Sequence, residues 1–157
     1  MSTFETREVQ VFRLPPGTEL VAGLTAHCEQ HAIRQALIAG IGALRRPEIG
    51  SYSFEEGVYH RLQLAGDWEL LTLNANVSLK EGRPFIHPHV ILGNSAGEVR
   101  GGHLFAAEIL VAEIFIHVLK GEPLERITDA ETGLSLWSPE MIGLFGISHG
   151  RVKINRE

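Results

Sequence analysis

The sequence predicts a single domain of the α/β (α+β) class, in which helices pack against a mostly antiparallel β-sheet. Short stretches that alternate apolar and polar residues recur along the chain, and this period of two is typical of strands. One stretch near the N-terminus instead repeats its apolar residues with helical spacing. Glycine is abundant, at 17 of 157 residues, which favours turns between strands. We expect one domain over residues 1–157, with its core within residues 9–136.

The first predicted elements are a strand and a helix. Residues 9–14 (VQVFRL) alternate and predict a strand, which a Pro-Pro-Gly turn ends. Thr18 is predicted to cap the following helix, and Glu19 is well placed for the helix dipole. The helix places five residues on one face: Leu20, Leu24, His27, Cys28 and His31. It is expected to end near His31.

Strands are predicted for most of the middle of the chain. Residues 36–43 (ALIAGIGA) predict a buried strand, because their two glycines would weaken a helix. Residues 49–54 and 58–64 predict a hairpin around a Glu-Glu-Gly turn. Residues 68–79 (WELLTLNANVSL) predict a long strand with four apolar residues on one face: Leu71, Leu73, Ala75 and Val77.

The second half of the chain contains another predicted hairpin and one further strand. Residues 85–92 and 98–104 predict two strands joined by a turn. Residues 114–119 (IFIHVL) predict a third strand. From residue 120 the chain is polar and turn-rich, and no further element is predicted there.

The composition narrows the classes of function. The net charge is −5, the pI is about 5.9, and the basic residues are scattered. Non-specific nucleic-acid binding requires clustered Lys and Arg, so the charge does not favour DNA as a partner, although local DNA contacts stay open. The single cysteine, Cys28, excludes a disulfide within this chain. Because no signal-like or membrane-spanning apolar run is found, we expect a cytoplasmic protein without a membrane partner.

Three histidines are the strongest candidates for a functional site. His87 and His89 are two residues apart on a predicted strand, so both project from the same face. Pro88 cannot donate to the sheet, which predicts a sheet edge or a strand end at this point. A hairpin folded about residues 95 and 96 places position 89 opposite about 102, so His103 lies next to both histidines. A bulge at Gly101-Gly102 would help to aim His103 at them.

Three imidazoles that converge on one point are a typical transition-metal site. Neutral imidazoles suit Zn²⁺, and three of them leave a fourth position open for water or a ligand. Nickel, copper and iron also accept imidazole ligands, so the identity of the metal stays open. The alternative interpretation is that the three histidines only form hydrogen bonds near a hairpin.

Several other polar residues are weaker candidates. Glu108 and Glu113 follow the third histidine and would serve as a general base or as hydrogen-bond partners of the ligands, unless they are simple surface or interface charges. Asn74 and Asn76 share one strand face, where they would line a pocket beside the metal or form an interface. No catalytic residue is assigned from the sequence.

Two further motifs have ordinary explanations. The segment 27–31 (HCEQH) spaces two histidines by one helical turn, but a zincin motif requires Glu directly after the first histidine, where Cys28 stands. We therefore expect a half-buried helix face and interpret Cys28 as a small core residue. The segment 146–150 (GISHG) matches a serine-nucleophile pattern, but we expect a loop, since no histidine follows it.

The residues around the three histidines also carry a family resemblance. The segments 87–90 (HPHV) and 97–104 (GEVRGGHL) resemble the signature of the PPC domain, also called DUF296, a family of plants and prokaryotes. Residues 40–44 (GIGAL), 66–71 (GDWELL) and 124–134 (LERITDAETGL) resemble three other conserved segments of that family. The chain is thereby similar to PPC domains over most of its length, in a free-standing form that lacks the AT-hook of plant members.

The resemblance implies an α/β domain that assembles as a homotrimer. It also implies one metal site per subunit, with zinc as the expected ion and His87, His89 and His103 as its ligands. Two classes of function follow. The first is a binding or regulatory role, associated with transcription or DNA. The second is a metal-dependent enzyme or a small-ligand sensor that uses the open coordination position, and the sequence does not decide whether the protein is an enzyme.

Overall fold

The computed structural model describes residues 3–138, which form eight β-strands and one α-helix. The predicted antiparallel sheet is confirmed, but the expected set of packed helices is reduced to a single helix in this part of the chain. The GISHG segment lies outside the described residues. The elements are β1 (Glu5–Arg13), α1 (Leu20–Gln30), β2 (Ala36–Ser53), β3 (Val58–Gln63), β4 (Asp67–Lys80), β5 (Arg83–Gly93), β6 (Val99–Lys120), β7 (Arg126–Thr128) and β8 (Ser135–Trp137).

Six strands form one sheet in the order β1-β6-β5-β4-β2-β3, and each neighbouring pair is antiparallel. An additional antiparallel pairing joins β6 to β2. The pairings β2–β4, β4–β5, β5–β6 and β6–β2 therefore form a closed ring of four strands. Strands β7 and β8 form a separate small hairpin.

Strands β2 and β6 are longer than the sequence predicts. Each was expected as two separate strands, whereas both run without interruption, over 18 and 22 residues. Register shifts in the β2–β6 pairing, such as the one between Arg45 and Glu48, let the strands bend and continue. A strand with such irregularities loses its regular alternation in the sequence, which explains the predicted breaks.

A bulge in β4 reverses part of the predicted strand face. The pairing of β4 with β5 shifts register between Leu70 and Thr72. As a result Leu70 is buried together with Leu73, whereas Leu71 is 50% exposed. The predicted face was therefore correct from Leu73 onwards and wrong for Leu71, because one extra residue exchanges the two faces of a strand.

Helix α1 covers the core from one side. Its N-cap is Glu19 rather than the predicted Thr18, and the Glu19 carboxylate accepts hydrogen bonds from the backbone N–H groups of Val21 and Ala22. Leu20, Leu24 and Cys28 are fully buried, as the helical periodicity predicts, and α1 packs against β5 and β6. The helix ends at Gln30, and His31 is its C-cap. It is too short to cross a membrane, and no helix within residues 3–138 has the length and apolarity to do so.

One face of the sheet exposes a group of large hydrophobic side chains, with Glu113 and His117 among them. Neighbouring positions on β1, β2 and β6 contribute large hydrophobic side chains that are between 39% and 64% exposed: Val11, Leu37, Ile41, Val111 and Phe115. Val11 lies directly opposite Phe115 across the β1–β6 pairing. This group of five residues is called the apolar sheet face below.

Candidate metal centre

The hairpin formed by β5 and β6 brings the three predicted histidines together. His87 and His89 project from one face of β5, and His89 lies directly opposite His103 on β6. The sequence placed position 89 opposite about 102, so the predicted register was off by one residue. Residues 83–88 pair only with β4, whereas β5 gains β6 as a second neighbour from His89 onwards. Pro88 therefore lies where β5 has one neighbour, in agreement with the predicted sheet edge.

The turn of this hairpin is held by Asn94. Its side-chain Oδ1 accepts hydrogen bonds from the backbone N–H groups of Ala96 and Glu98, both at 3.0 Å. Its Nδ2 donates to the Glu98 carboxylate at 2.7 Å. An asparagine that bonds to the backbone two residues later is a common way to nucleate a tight turn. Because the turn sets the register of both strands, Asn94 also determines that His89 and His103 face each other.

The glycines before His103 serve close packing rather than the predicted bulge. The β5–β6 register is continuous from His89 to Gly93, so no bulge re-aims His103. Instead, a Cβ atom on Gly102 would lie 2.6 Å from the carbonyl oxygen of Gly50 on β2. Glycine at this position lets β6 approach β2 closely, and His103 is paired with Gly50 as a consequence.

The geometry of the imidazoles fits a transition metal. The Nε2 atoms of His87 and His89 lie 3.3 Å apart. Two imidazoles bound to one tetrahedral zinc at about 2.0–2.1 Å have their nitrogens about 3.3–3.4 Å apart, so this pair is already correctly spaced. One nitrogen from each of the three histidines lies within 4.8 Å of the other two. A metal would therefore require a ring to move by up to about 1.5 Å to reach the same spacing.

His103 has an unsatisfied buried nitrogen. Its Nδ1 is inaccessible to solvent and has no hydrogen-bond partner among the described residues. The ring is enclosed by two aromatic neighbours, with centroid distances of 5.3 Å to Tyr59 and 4.8 Å to Phe105. An unpaired buried polar atom costs free energy, and a metal bound to this nitrogen would remove that cost.

Burial keeps two of the three imidazoles neutral. Burial is the largest cause, and together with the nearby charges of Arg126 and His89 it lowers the pKa of His87 to about 4. The pKa of His103 is also lowered to about 4, mainly by burial and then by the other two histidines. A neutral imidazole has a free lone pair for a metal, so both side chains are in the ligand form near neutral pH.

Arg126 is a residue of this site that the sequence did not reveal. It is only 8% exposed and donates hydrogen bonds of 2.7 Å from Nε, Nη1 and Nη2 to Ser78 Oγ, Ser135 O and Asn76 Oδ1. Its Nη2 also lies 3.4 Å from Nδ1 of His87. The residue belongs to the LERITDAETGL segment, but burial of an arginine 39 positions beyond His87 has no local signal in the sequence.

A cavity of about 220 Å³ adjoins the histidines. His87 and His103 form part of its wall, Arg126 and Lys80 contribute positive charge, and the other walls are largely apolar. His89 is exposed and lies outside the cavity lining. The histidine cluster therefore has one side towards solvent and one side towards a partly open cavity.

The other predicted candidates are distributed between this site and other parts of the surface. Asn76 lies opposite His87 and accepts a hydrogen bond from Arg126, but it is not among the residues that line the cavity. Asn74 lies opposite His89 and is exposed. Glu108 instead forms ion pairs with Arg45 and Arg46. Glu113 is exposed on β6, and neither glutamate joins the histidine cluster.

The two helical histidines do not form a comparable site. The His27 ring stacks on Phe12 with a centroid distance of 3.9 Å, and His27 Nε2 donates to Gln10 Oε1 at 2.7 Å. Cys28 is fully buried, and burial raises the pKa of its thiol to about 12. The interpretation of Cys28 as an unreactive core residue is confirmed.

The fold and the site together define a class of protein: a small antiparallel β-domain with a potential metal site of three histidines on one hairpin. Comparison with family models identifies a match to the Plants and Prokaryotes Conserved (PCC) domain over residues 1–120. The chain belongs to this family, as the resemblance in its sequence implied. The match covers most of the predicted domain, whereas the extent of the domain up to residue 157 stays a prediction.

Solved structures of relatives agree with this assignment. A plant- and prokaryote-conserved (PPC) protein from Pyrococcus horikoshii is 44% identical, with a TM-score of 0.85 over 88% of this chain and 96% of that chain. A protein described as metal-containing, from Archaeoglobus fulgidus, is 42% identical, with a TM-score of 0.82 over 88% of this chain and 99% of that chain. A candidate DNA-binding protein from Bacteroides thetaiotaomicron shares the fold at 22% identity, with a TM-score of 0.79 over 88% of this chain and 99% of that chain. No curated protein sequence matches the chain.

Proposed function

We propose that this protein is a zinc-binding module that assembles as a homotrimer and binds a small ligand at the open coordination position of its metal, in a binding or regulatory role. The observation that carries this proposal is the 3.3 Å separation of the His87 and His89 Nε2 atoms, with a third imidazole nitrogen within 4.8 Å. The relative from A. fulgidus, which is described as metal-containing, supports it.

Zinc is the metal that this ligand set favours. Three neutral imidazoles without a thiolate or a carboxylate suit a borderline-soft divalent ion, and they leave one tetrahedral position for another ligand. Zinc in such a site acts as a Lewis acid towards whatever occupies that position. The histidines hold the ion, and the residues around them determine which ligand reaches it.

The surroundings favour ligand binding over hydrolysis. A metal hydrolase requires a general base within hydrogen-bond reach of the attacking water. The described residues that line the cavity include no Asp or Glu, and the two histidines among them are the proposed ligands. The metal-dependent enzyme therefore remains the second candidate, with no carboxylate among the described cavity-lining residues to serve as its base.

Metal content tests the central proposal. We expect about one zinc per chain in untagged wild-type protein, measured by elemental analysis, because one site is complete within each subunit. His87→Ala and His103→Ala should each lose the metal, whereas His60→Ala, a change of an exposed histidine on β3, should retain it. Wild-type protein that stays metal-free after incubation with zinc at neutral pH would show that the three histidines are structural.

The apolar sheet face supports assembly of the chain with copies of itself. Five large hydrophobic side chains exposed on one face are more typical of a protein–protein interface than of a free surface. Phe115 lies near the centre of this face, between β1 and β2, and is 45% exposed. Burial of the face between three subunits would remove it from water without a further partner.

Light scattering tests this assembly. The wild-type chain should have the mass of a trimer at micromolar concentration. Phe115→Glu should lower the mass of the assembly, because a buried charge at the interface is costly. Phe54→Glu is the matched control, since Phe54 is 75% exposed and lies outside the apolar sheet face. A wild-type monomer would contradict the trimer.

Direct DNA binding receives less support from the surface. Five of the nine arginines within residues 3–138 form ion pairs with acidic side chains, as Arg45 does with Asp67 at 2.9 Å. Such pairing leaves fewer charges for phosphate groups. A shift assay with mixed-sequence duplexes at several salt concentrations tests this prediction, and the absence of a complex even at low salt would exclude DNA as a direct partner.

A further inference from the structure

The cavity beside the histidine cluster carries positive charge without a visible counter-charge. Arg126 and Lys80 line it, and within residues 3–138 no Asp or Glu does so. A zinc ion held by three neutral imidazoles would retain its two positive charges. Uncompensated charge in a partly enclosed site is unfavourable, so the filled site would be stabilised by an anion.

Arg126 is positioned to hold such an anion. Three hydrogen bonds of 2.7 Å fix the plane of its guanidinium group. A guanidinium has five N–H groups. Besides its bond to Asn76, Nη2 contacts His87 Nδ1 at 3.4 Å, whereas the second N–H of Nη1 has no hydrogen bond to the described residues. A fixed guanidinium with a spare donor is suited to a carboxylate or a phosphate.

The remaining walls select an organic anion. Phe85 lies in the cavity wall with its ring 5.0 Å from the Arg126 guanidinium carbon, and Tyr59, Leu134 and Leu136 also line the cavity. These side chains offer apolar contacts that a bare inorganic ion could not use. The volume of about 220 Å³ is suited to a small molecule rather than to a peptide or a nucleotide.

We propose that this cavity binds a small organic acid, whose carboxylate is held jointly by Arg126 and the metal and whose apolar part packs against Phe85 and Leu134. This inference rests on the metal site proposed above. It adds the chemical class of the ligand, which the histidine cluster alone does not specify.

Calorimetric titration with three probes tests the ligand class. Benzoate should bind to the zinc-loaded protein at least about tenfold more tightly than benzamide, which has the same shape without the charge. Benzoate should also bind more tightly than inorganic phosphate, because only benzoate uses the apolar walls. Equal binding of benzoate and benzamide, or tighter binding of phosphate, would overturn the proposal.

Two variants locate the binding site. Arg126→Gln should weaken benzoate binding at least about tenfold by removing the charge. Since this change also removes contacts to β4 and β8, Leu134→Trp provides a second route by filling the cavity without changing its charge. Ile127→Trp is the matched control, because Ile127 is exposed on β7 and does not line the cavity. Unchanged benzoate affinity in Leu134→Trp would place the acid elsewhere and contradict the inference.

Zinc content measured in the same samples separates the two proposals. If wild-type protein contains zinc that depends on His87 and His103 but does not bind benzoate, the organic-acid inference is wrong and the metal site stands. If zinc does not bind at all, both proposals fail. If benzoate binds equally well with and without zinc, Arg126 alone holds the anion and the joint site is refuted.

Discussion

His27 and His31 lie one turn apart on α1 with ring centroids 4.4 Å apart, whereas His87 and His89 lie on one face of β5 with ring centroids 5.1 Å apart. The helical rings are closer, yet they are the less suited to a metal. His27 uses its Nε2 in a hydrogen bond to Gln10. The strand pair instead directs its two Nε2 atoms at each other, and the neighbouring strand supplies His103 as a third candidate ligand. Two Nε2 atoms that face each other and a third histidine beside them, rather than ring proximity, distinguish the strand histidines from the helical pair.

The difference follows from the secondary structures. A helix brings together residues three or four apart on one face, so a third ligand must come from another element. A hairpin brings together residues on one strand and those directly across from it, where side chains are about 4.5–5.5 Å apart. The β5–β6 hairpin thereby brings together all three candidate ligands, His87, His89 and His103.

Removal of one histidine from each group should give the largest difference in zinc affinity. His89→Ala should weaken zinc binding at least about 100-fold, since a lost direct ligand costs at least as much as a lost outer partner. His89 is exposed, so the change leaves the core intact. Competition with a chelating dye measures the affinity. His31→Ala, at an exposed position of the helical pair, should bind zinc as the wild type does, and equal losses in both variants would contradict the comparison.

Zinc should stabilise the protein through the strand group alone. At free zinc about 100 times its dissociation constant, linkage predicts about 2.7 kcal/mol, which for a chain of this size raises the Tm by roughly 5–10 °C. Differential scanning calorimetry at a fixed protein concentration measures this shift. It should persist in His31→Ala and disappear in His89→Ala; a shift that survives in His89→Ala would locate the zinc elsewhere.

Glycines next to the two histidine groups should also differ in how well they tolerate substitution by alanine. Gly102→Ala should cost about 1–3 kcal/mol and weaken zinc binding, because its Cβ would meet the backbone of Gly50 at 2.6 Å and displace His103. Chemical denaturation and zinc competition measure the two effects. In Gly23→Ala, on α1, the added Cβ meets only side chains, the nearest 3.0 Å away on Thr18, and alanine favours the helix. Zinc affinity should therefore stay unchanged in that variant.

The smallest expected effect is a pH dependence from the helical group. Burial lowers the pKa of His27 below its ordinary value of 6.5, and the neighbouring His31 acts in the same direction. The stability from this neutral imidazole is therefore complete above pH 6.5 and is lost as the pH falls below it. In metal-free protein, wild type should lose more stability between pH 7.5 and 5.5 than His27→Gln does. Parallel curves from urea denaturation would show that His27 does not contribute.

The site could be predicted from the sequence as far as local geometry extends. The period of two in a strand places His87 and His89 on one face, and the turn at Asn94 brings His103 opposite them to within one residue. Arg126 could not be predicted, because its position depends on hydrogen bonds to Ser78 and Asn76, about 50 residues away. The same limit applies to the fold. The alternation of β4 was visible, but the bulge that turns Leu71 outwards depends on how β4 pairs with β5.

The confinement of the ligands to one hairpin has a consequence for the order of folding. His89 and His103 are joined by a single short turn, and such hairpins form within about 1–10 μs. The β2–β6 pairing that closes the ring joins Ala36 to Val118, and contacts so distant in the chain form much later. If the proposed site binds zinc, the ion would therefore meet its candidate ligands before the ring closes. It should accelerate refolding as well as slow unfolding, because it would hold strands β5 and β6 in their native pairing.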